Sequence, residues 1–176
     1  MKIFKKKKYK ISLKLIKLSN ITKSYIKWMN DYEVVKYTEQ KFKKHTTADI
    51  KRFVKEKINS PTDFLYGIFI FDKKETHIGN LKIGPINKIH QTAEMSYFIG
   101  EKRYWKIGIG SQAVKKGIEI SKKKYKLKKL IAGCYNVNKG SIGVLKKNKF
   151  KKEALLKSHV FFEDRRIDQI IFGLVL

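Results

Sequence analysis

The chain has 176 residues, 42% hydrophobic and 12% aromatic, enough to bury one core; this excludes a disordered chain. Its formal charge of +27 suggests a polyanionic partner, yet the only arginines are Arg52, Arg103, Arg165 and Arg166, and the lysines are scattered through every segment. Base-edge and bidentate phosphate contacts favour the guanidinium fork over an ammonium, so most of the charge reads as a solvated face and nucleic-acid binding is not expected.

Cys134 is the sole cysteine, which excludes an intramolecular disulfide and points to a reducing compartment. The basic stretch Lys2 to Lys10 is followed by alternation, not by a signal-peptide core, and no segment approaches the ~18 apolar residues of a membrane span. A soluble cytoplasmic protein, folded as one domain over residues 1–176, is the expectation.

In chain order, residues 11–18 alternate as a first strand. Ser19-Asn20 offers an N-cap for a helix carrying Ile21, Tyr25, Trp28 and Met29. Tyr32 to Lys44 has no clean period and reads as an ordered loop. Thr46-Thr47 caps a second helix with Ile50, Phe53, Val54 and Ile58 on its buried stripe, ended by Asn59-Ser60-Pro61. Phe64 to Phe71 is an apolar run suited to a strand buried on both faces, and a polar turn at 72–75 joins it to a strand from His77 to Ile86, bent at Gly84-Pro85. Gln91 to Ile99 is a further strand, with Ala93, Met95, Tyr97 and Ile99 on one face and Glu94, Ser96 and Phe98 on the other.

A helix over 111–124, a strand from Lys128 to Val137, and a short helix from Gly140 to Asn148 with Ile142 and Leu145 inward come next. Strands 152–162 and 166–175, joined at Glu163-Asp164-Arg165, close the chain. Antiparallel hairpins with one β-α-β crossover define an α+β fold.

Between strand and helix lies Arg103-Tyr-Trp-Lys-Ile-Gly-Ile-Gly-Ser-Gln-Ala113. Glycine removes the Cβ that keeps a ligand off the main chain, and a helix start leaves N–H groups unpaired, so a phosphate-bearing ligand is the natural guest. Gly108-Ile-Gly110-Ser-Gln-Ala113 formally satisfies the dinucleotide fingerprint, but eight residues separate Ile99 from Gly108 and no acidic residue ends the next strand. A P-loop is excluded because no Gly-Lys-Ser/Thr is present.

The segment Trp105-Lys-Ile-Gly108-Ile-Gly110-Ser-Gln-Ala113 resembles the acetyl-CoA pyrophosphate loop of the GNAT superfamily of N-acetyltransferases, with Trp105 in place of the usual Arg or Gln. Downstream, Asn138-x-x-Ser141-Ile142-x-x-Leu145-x-Lys147-x-x-Phe150 is similar to the second motif of the branch that includes ribosomal-protein N-terminal acetyltransferases, with Lys149 where glycine is usual. The resemblance covers nearly the whole chain. It implies a mixed, mostly antiparallel central sheet flanked by about four helices, and acetyl-CoA as co-substrate without a metal. Residues Trp105, Lys106, Ile107, Gly108, Ile109, Gly110 and Ser111 would hold the pyrophosphate, with Lys115 and Lys116 adding charge. Asn138 would bond the pantetheine arm, and the backbone of Ser96 to Phe98 would polarise the acetyl carbonyl.

The chemistry this implies is direct attack of an amine on a thioester. Glu94, which reads equally as a solvated strand residue, is the favoured base acting through water, and His90 is a second candidate, although a lone histidine near a turn is more often merely exposed. The superfamily's frequent tyrosine acid is replaced by Leu145, so Tyr97, Tyr135 or Ser141 substitutes, or the thiolate leaves unassisted; Ser141 reads equally as a helix cap or a cofactor contact. The acceptor is assigned to the loop 28–45, through Trp28, Asn30, Asp31, Tyr37 and His45, with Thr38 and Glu39 beside them. Its aromatic and hydrogen-bonding mixture suits a small-molecule amine, foremost an amino sugar, nucleotide-linked in surface-glycan synthesis; a protein N-terminus, ribosomal or other, is the alternative. A non-catalytic basic RNA-binding protein is the reading from another class. A monomer or homodimer is expected.

Overall fold

Alternation at the start of the chain forms β1, Ile11–Leu15, in the computed structural model, which describes residues 9–176. The basic stretch as far as Lys8 lies outside the described residues. β1 is shorter than the expected 11–18, because residues Leu18–Asn20 tighten into a 3-10 turn. Thr22, not Ser19 or Asn20, caps α1, Lys23–Met29, by accepting from the Tyr25 N–H. The presumed loop 32–44 contains α2, Tyr32–Val35, and a 3-10 turn at Glu39–Phe42. Both are too short to show a helical period.

In α3, Thr47–Asn59, Thr46 and Asp49 form a reciprocal capping box. Ile50 and Val54 are buried, but Phe53 and Ile58, expected on the same stripe, are 40% and 48% exposed. The helix rests on the sheet along a single row of side chains spaced four apart, and those to either side of it reach solvent.

The remaining strands are β2, Phe64–Asp72; β3, Lys74–Asn87; β4, Thr92–Ile99; β5, Lys129–Tyr135; β6, Lys151–Phe162; and β7, Arg165–Val175. They form a seven-stranded sheet in the order β1-β2-β3-β4-β5-β7-β6. Every neighbouring pair is antiparallel except β4 and β5, which are parallel and joined through α4, Ile109–Lys123. A fifth α-helix, α5, Lys139–Lys147, links β5 to β6. This is the expected mixed, mostly antiparallel architecture, with five α-helices among the described residues where about four were expected.

The run 65–70 of β2 is buried throughout, as its composition required. The β2–β3 turn is tighter than expected, with Asp72 opposite Lys74 and Lys73 alone at φ 66. The bend expected at Gly84-Pro85 coincides with a register shift between Ile83 and Ile86. One face of the sheet packs under α4 and α5 through Leu81, Met95, Val114, Leu130 and Leu145. The other is covered by α1 and α3 through Tyr25, Trp28, Ile50, Val54 and Leu65.

Lys149, just after α5, sits at φ 66, the left-handed region that explains why glycine is usual there. Relief of about 1–2 kcal/mol of Cβ strain, partly offset by the greater unfolded-state freedom of glycine, makes Lys149→Gly stabilising by roughly 0.5–1 kcal/mol. The urea midpoint should rise with an unchanged slope.

Candidate active site

β4 and β5 pair over only three positions, Thr92 with Lys129, Ala93 with Leu130 and Glu94 with Ile131. Beyond these, β4 follows β3 as far as Ile99 and β5 follows β7 as far as Tyr135, so the two strands part. Parting leaves main-chain groups without a strand neighbour at the sheet's centre, available to a ligand. Strand alternation then divides the residues around the opening. Tyr97 and Cys134 lie on the face beneath α4 and α5. Glu94, Ser96 and Gly133 are exposed on the opposite face, and the Gln169 side chain lies over Gly133.

After β4 the chain makes a 3-10 turn at Lys102–Tyr104. The Trp105 indole N–H then donates to the Ile99 carbonyl at 2.7 Å. The indole thus fastens the loop to the end of β4, and its donor is engaged within the protein instead of facing a ligand. Lys106 and Gly108 have φ of 60 and 89, and α4 begins at Ile109, so Ile109, Gly110 and Ser111 form its first turn instead of a loop. No side chain caps this terminus and no acidic residue lies in the first turn. The direction a Gly108 Cβ would take is open to 4 Å. Asn148, an unspecified position of the second motif, donates to the Ser111 carbonyl at 3.3 Å and its hydroxyl at 3.1 Å, fixing the terminus against α5. Its one sequence signal is its place just past the last periodic residue of that helix. An uncapped helix start with room above it, and with Lys106 exposed nearby, fits the pyrophosphate of coenzyme A.

Asn138 is the N-cap of α5, its Oδ1 accepting from the Ser141 N–H at 3.1 Å. Ser141 is therefore not a cap, and its Oγ accepts from the Tyr97 hydroxyl at 3.3 Å. Burial pushes the Tyr97 phenol up to about 12, against a smaller lowering by the Ser141 bond. Burial likewise raises the neighbouring Cys134 thiol, which donates to the Tyr135 and Asn138 carbonyls. Leu145 is buried one turn beyond Ser141 on the same side of α5, so the Tyr97–Ser141 pair stands one turn before the position where the superfamily frequently carries tyrosine. Tyr135 points to the opposite face and donates to Glu39 at 2.9 Å, which removes it from the Ser141 cluster. His90 is exposed in the β3–β4 turn, at the paired end of β4 and away from the opening.

Four of the five expected acceptor residues prove to hold the loop in place. Trp28 is 3% exposed, donates to Glu101 at 3.1 Å and packs on Gly100, where any Cβ would overlap its ring. Asn30 bonds the Ile26 carbonyl and both backbone groups of His45. Asp31 caps α2 and pairs with Lys102 at 2.7 Å, which lowers its carboxyl pKa. His45 is buried with its Nε2 on the Gln40 carbonyl. Tyr37 too is a packing residue, stacked on Phe162 and edge-on to Tyr135, and a cleft opens elsewhere along the same loop, at Glu39 and Phe42. That cleft, of about 370 Å³, is lined by Glu39, Phe42, His159, Phe161, Arg166 and Gln169. Most of these residues belong to the β6–β7 hairpin, which adjoins the loop only in the folded chain.

The GNAT acetyltransferase domain model matches residues 12–151. The chain belongs to the GNAT acetyltransferases. As a member of that family it is an N-acetyltransferase with acetyl-CoA as co-substrate. Its fold is similar to that of the Vibrio cholerae spermidine N-acetyltransferase in complex with CoA and spermine, with TM-score 0.84 and 16% identity over 94% of this chain and 95% of that one. It is similar also to RimL, a ribosomal L7/L12 alpha-N-protein acetyltransferase solved with coenzyme A as a CoA–cysteine disulfide, at TM-score 0.82 and 14% identity over 94% of each chain. A GNAT-family acetyltransferase from Bacillus anthracis gives TM-score 0.80 and 18% identity over 96% of each chain. Among the described residues no helix is long and apolar enough to cross a membrane.

Gly108→Val places a β-branched side chain at a left-handed N-cap and into the open space above it. Acetyl-CoA should raise the melting temperature of the wild-type GNAT domain, and this variant should lose that rise while keeping a native far-UV spectrum. A second expectation concerns alkaline pH. Folded Tyr97 holds its proton to about 12, whereas in the unfolded chain it releases it near 10. Its contribution is complete below pH 10 and is lost as pH rises toward 12. Urea titrations should therefore show wild type losing more stability over that interval than Tyr97→Phe.

Proposed function

We propose that this GNAT enzyme acetylates the primary amine of an amino sugar, free or nucleotide-linked, of the kind used in surface-glycan synthesis. The observation that carries the reading is the cleft on the face of Glu94 and Ser96. It sets the aromatic faces of Phe42 and Phe161 beside hydrogen-bonding Glu39, His159, Arg166 and Gln169. Its volume of about 370 Å³ is at the lower end for small-molecule sites. Rings that stack and side chains that accept or donate in several directions suit a compact polyhydroxylated ring. Exposed Ser96 and Gly133, with the Gln169 amide over the latter, support a floor leading from cleft to opening. A net charge of +27 favours an acceptor carrying phosphate over a polycation such as spermidine.

Acetyl-CoA supplies an activated acetyl thioester. The main chain at 108–111 and the lysines near it hold the cofactor's phosphates, and Asn138 keeps the start of α5 beside the opening. Glu94, at the last paired position of β4 and exposed toward the acceptor side, takes the ammonium proton through water, so that the nitrogen lone pair is free. A C–N bond forms as the C–S bond breaks, and coenzyme A departs as thiolate. Tyr97, kept protonated by burial, donates through Ser141 toward the departing sulfur.

An assay of released coenzyme A against free and nucleotide-linked amino sugars, peptides with free N-termini and spermidine tests this reading. The sugars should give the highest kcat/KM, and Glu94→Gln should reduce kcat about 100-fold. A peptide turned over far better than every sugar would replace the acceptor with a protein N-terminus.

A further inference from the structure

On the acceptor side, Tyr135 joins two opposite charges. Its phenol donates to Glu39 Oε1 at 2.9 Å and accepts from the Lys41 ammonium at 3.2 Å. Lys41 also donates to the Phe161 carbonyl at 2.8 Å and lies against the rings of Phe42, Tyr135 and Phe162 at 4.6, 4.5 and 5.3 Å. It therefore straps the 39–42 turn onto the β6–β7 hairpin. Tyr135 itself is 4% exposed, so the position of its hydroxyl is set by the sheet. The consequence is a carboxylate held from behind: one oxygen of Glu39 is occupied, Oε2 has no hydrogen bond among the described residues, and the group lines the cleft. Burial depresses the pKa of the Lys41 ammonium, a desolvation cost that an ordinary surface turn would avoid, while the Glu39 side chain stays exposed. A fixed carboxylate facing a cleft with an open oxygen is suited to take a hydroxyl or ammonium donor.

We propose that Glu39 is the specificity-determining residue for the acceptor, receiving a hydroxyl or ammonium hydrogen bond on Oε2, with Tyr135 and Lys41 as its positioning residues. For a sugar acceptor this rests on the function proposed above, and the bond is to a ring hydroxyl.

Steady-state kinetics on Glu39→Gln and Tyr135→Phe, with the acceptor and acetyl-CoA varied in turn, test it. Glu39→Gln should raise the acceptor KM about 10- to 100-fold, with a smaller effect on kcat and none on the acetyl-CoA KM. Tyr135→Phe, which frees Glu39 without removing it, should shift the acceptor KM the same way by about 3- to 10-fold. An acceptor lacking the bonded hydroxyl should lose this preference in wild type and show no further loss with Glu39→Gln. An acceptor KM unchanged in Glu39→Gln, or one that rises together with the acetyl-CoA KM, overturns the proposal. If wild type acetylates another amine and no sugar, the sugar reading alone fails, and the same variants assayed with that amine decide the role of Glu39. No turnover of any amine overturns both.

Discussion

The parting of β4 from β5 is the constraint on which the rest of the molecule depends. A parallel pair is held by main-chain bonds along its length, and here the pairing ends after Glu94 and Ile131 while each strand continues with its other neighbour. An open seam at the centre of a sheet leaves polar groups unpaired, which is unfavourable unless something else bonds them. The flanking features converge on that seam. Trp105 ties the following loop to the end of β4, Asn138 starts α5 beside β5, and Asn148 locks the first turn of α4 to α5. These contacts anchor the segments that flank the opening, among them an uncapped helix terminus.

Alternation makes the opening two-sided. On the helix side, Tyr97, Ser141 and Cys134 are enclosed by α4 and α5, and burial shifts the phenol and the thiol toward their neutral forms. On the opposite face Glu94, Ser96 and Gly133 are exposed, and Gln169, which lies over Gly133, also lines the cleft. A reaction that brings a cofactor and an acceptor amine to one bond is well served by that division. The same division separates Tyr135 from Tyr97: both surround the opening, but they point to opposite sides.

The glycine turn before α4 and the start of α5 were legible because their residues are contiguous. Gly108 must adopt φ 89, the helix must begin immediately after it, and the Asn138 motif must begin the next helix; each requirement restricts residue type at a short, fixed spacing. The role of the 28–45 loop was not. Trp28, Asn30, Asp31 and His45 looked like ligand groups because aromatic and polar residues in an aperiodic segment serve equally well to brace it, and composition cannot separate the two uses. The amphipathic stripe of α3 was overread for a related reason, since periodicity marks which residues share a face and not how wide the contact will be.

What the sequence determined by itself was therefore the α+β class, the order of elements, the core faces of the strands and the glycine turn that starts α4, all set by local spacing and backbone preference. Only the tertiary structure decided that Asn138 and not Ser141 caps α5, that Asn148 reaches across to Ser111, and that Glu39 meets Tyr135 and the β6–β7 hairpin. The last of these joins residues about a hundred positions apart. Contacts of that range depend on where the sheet brings the strands, and no local pattern in the chain records them.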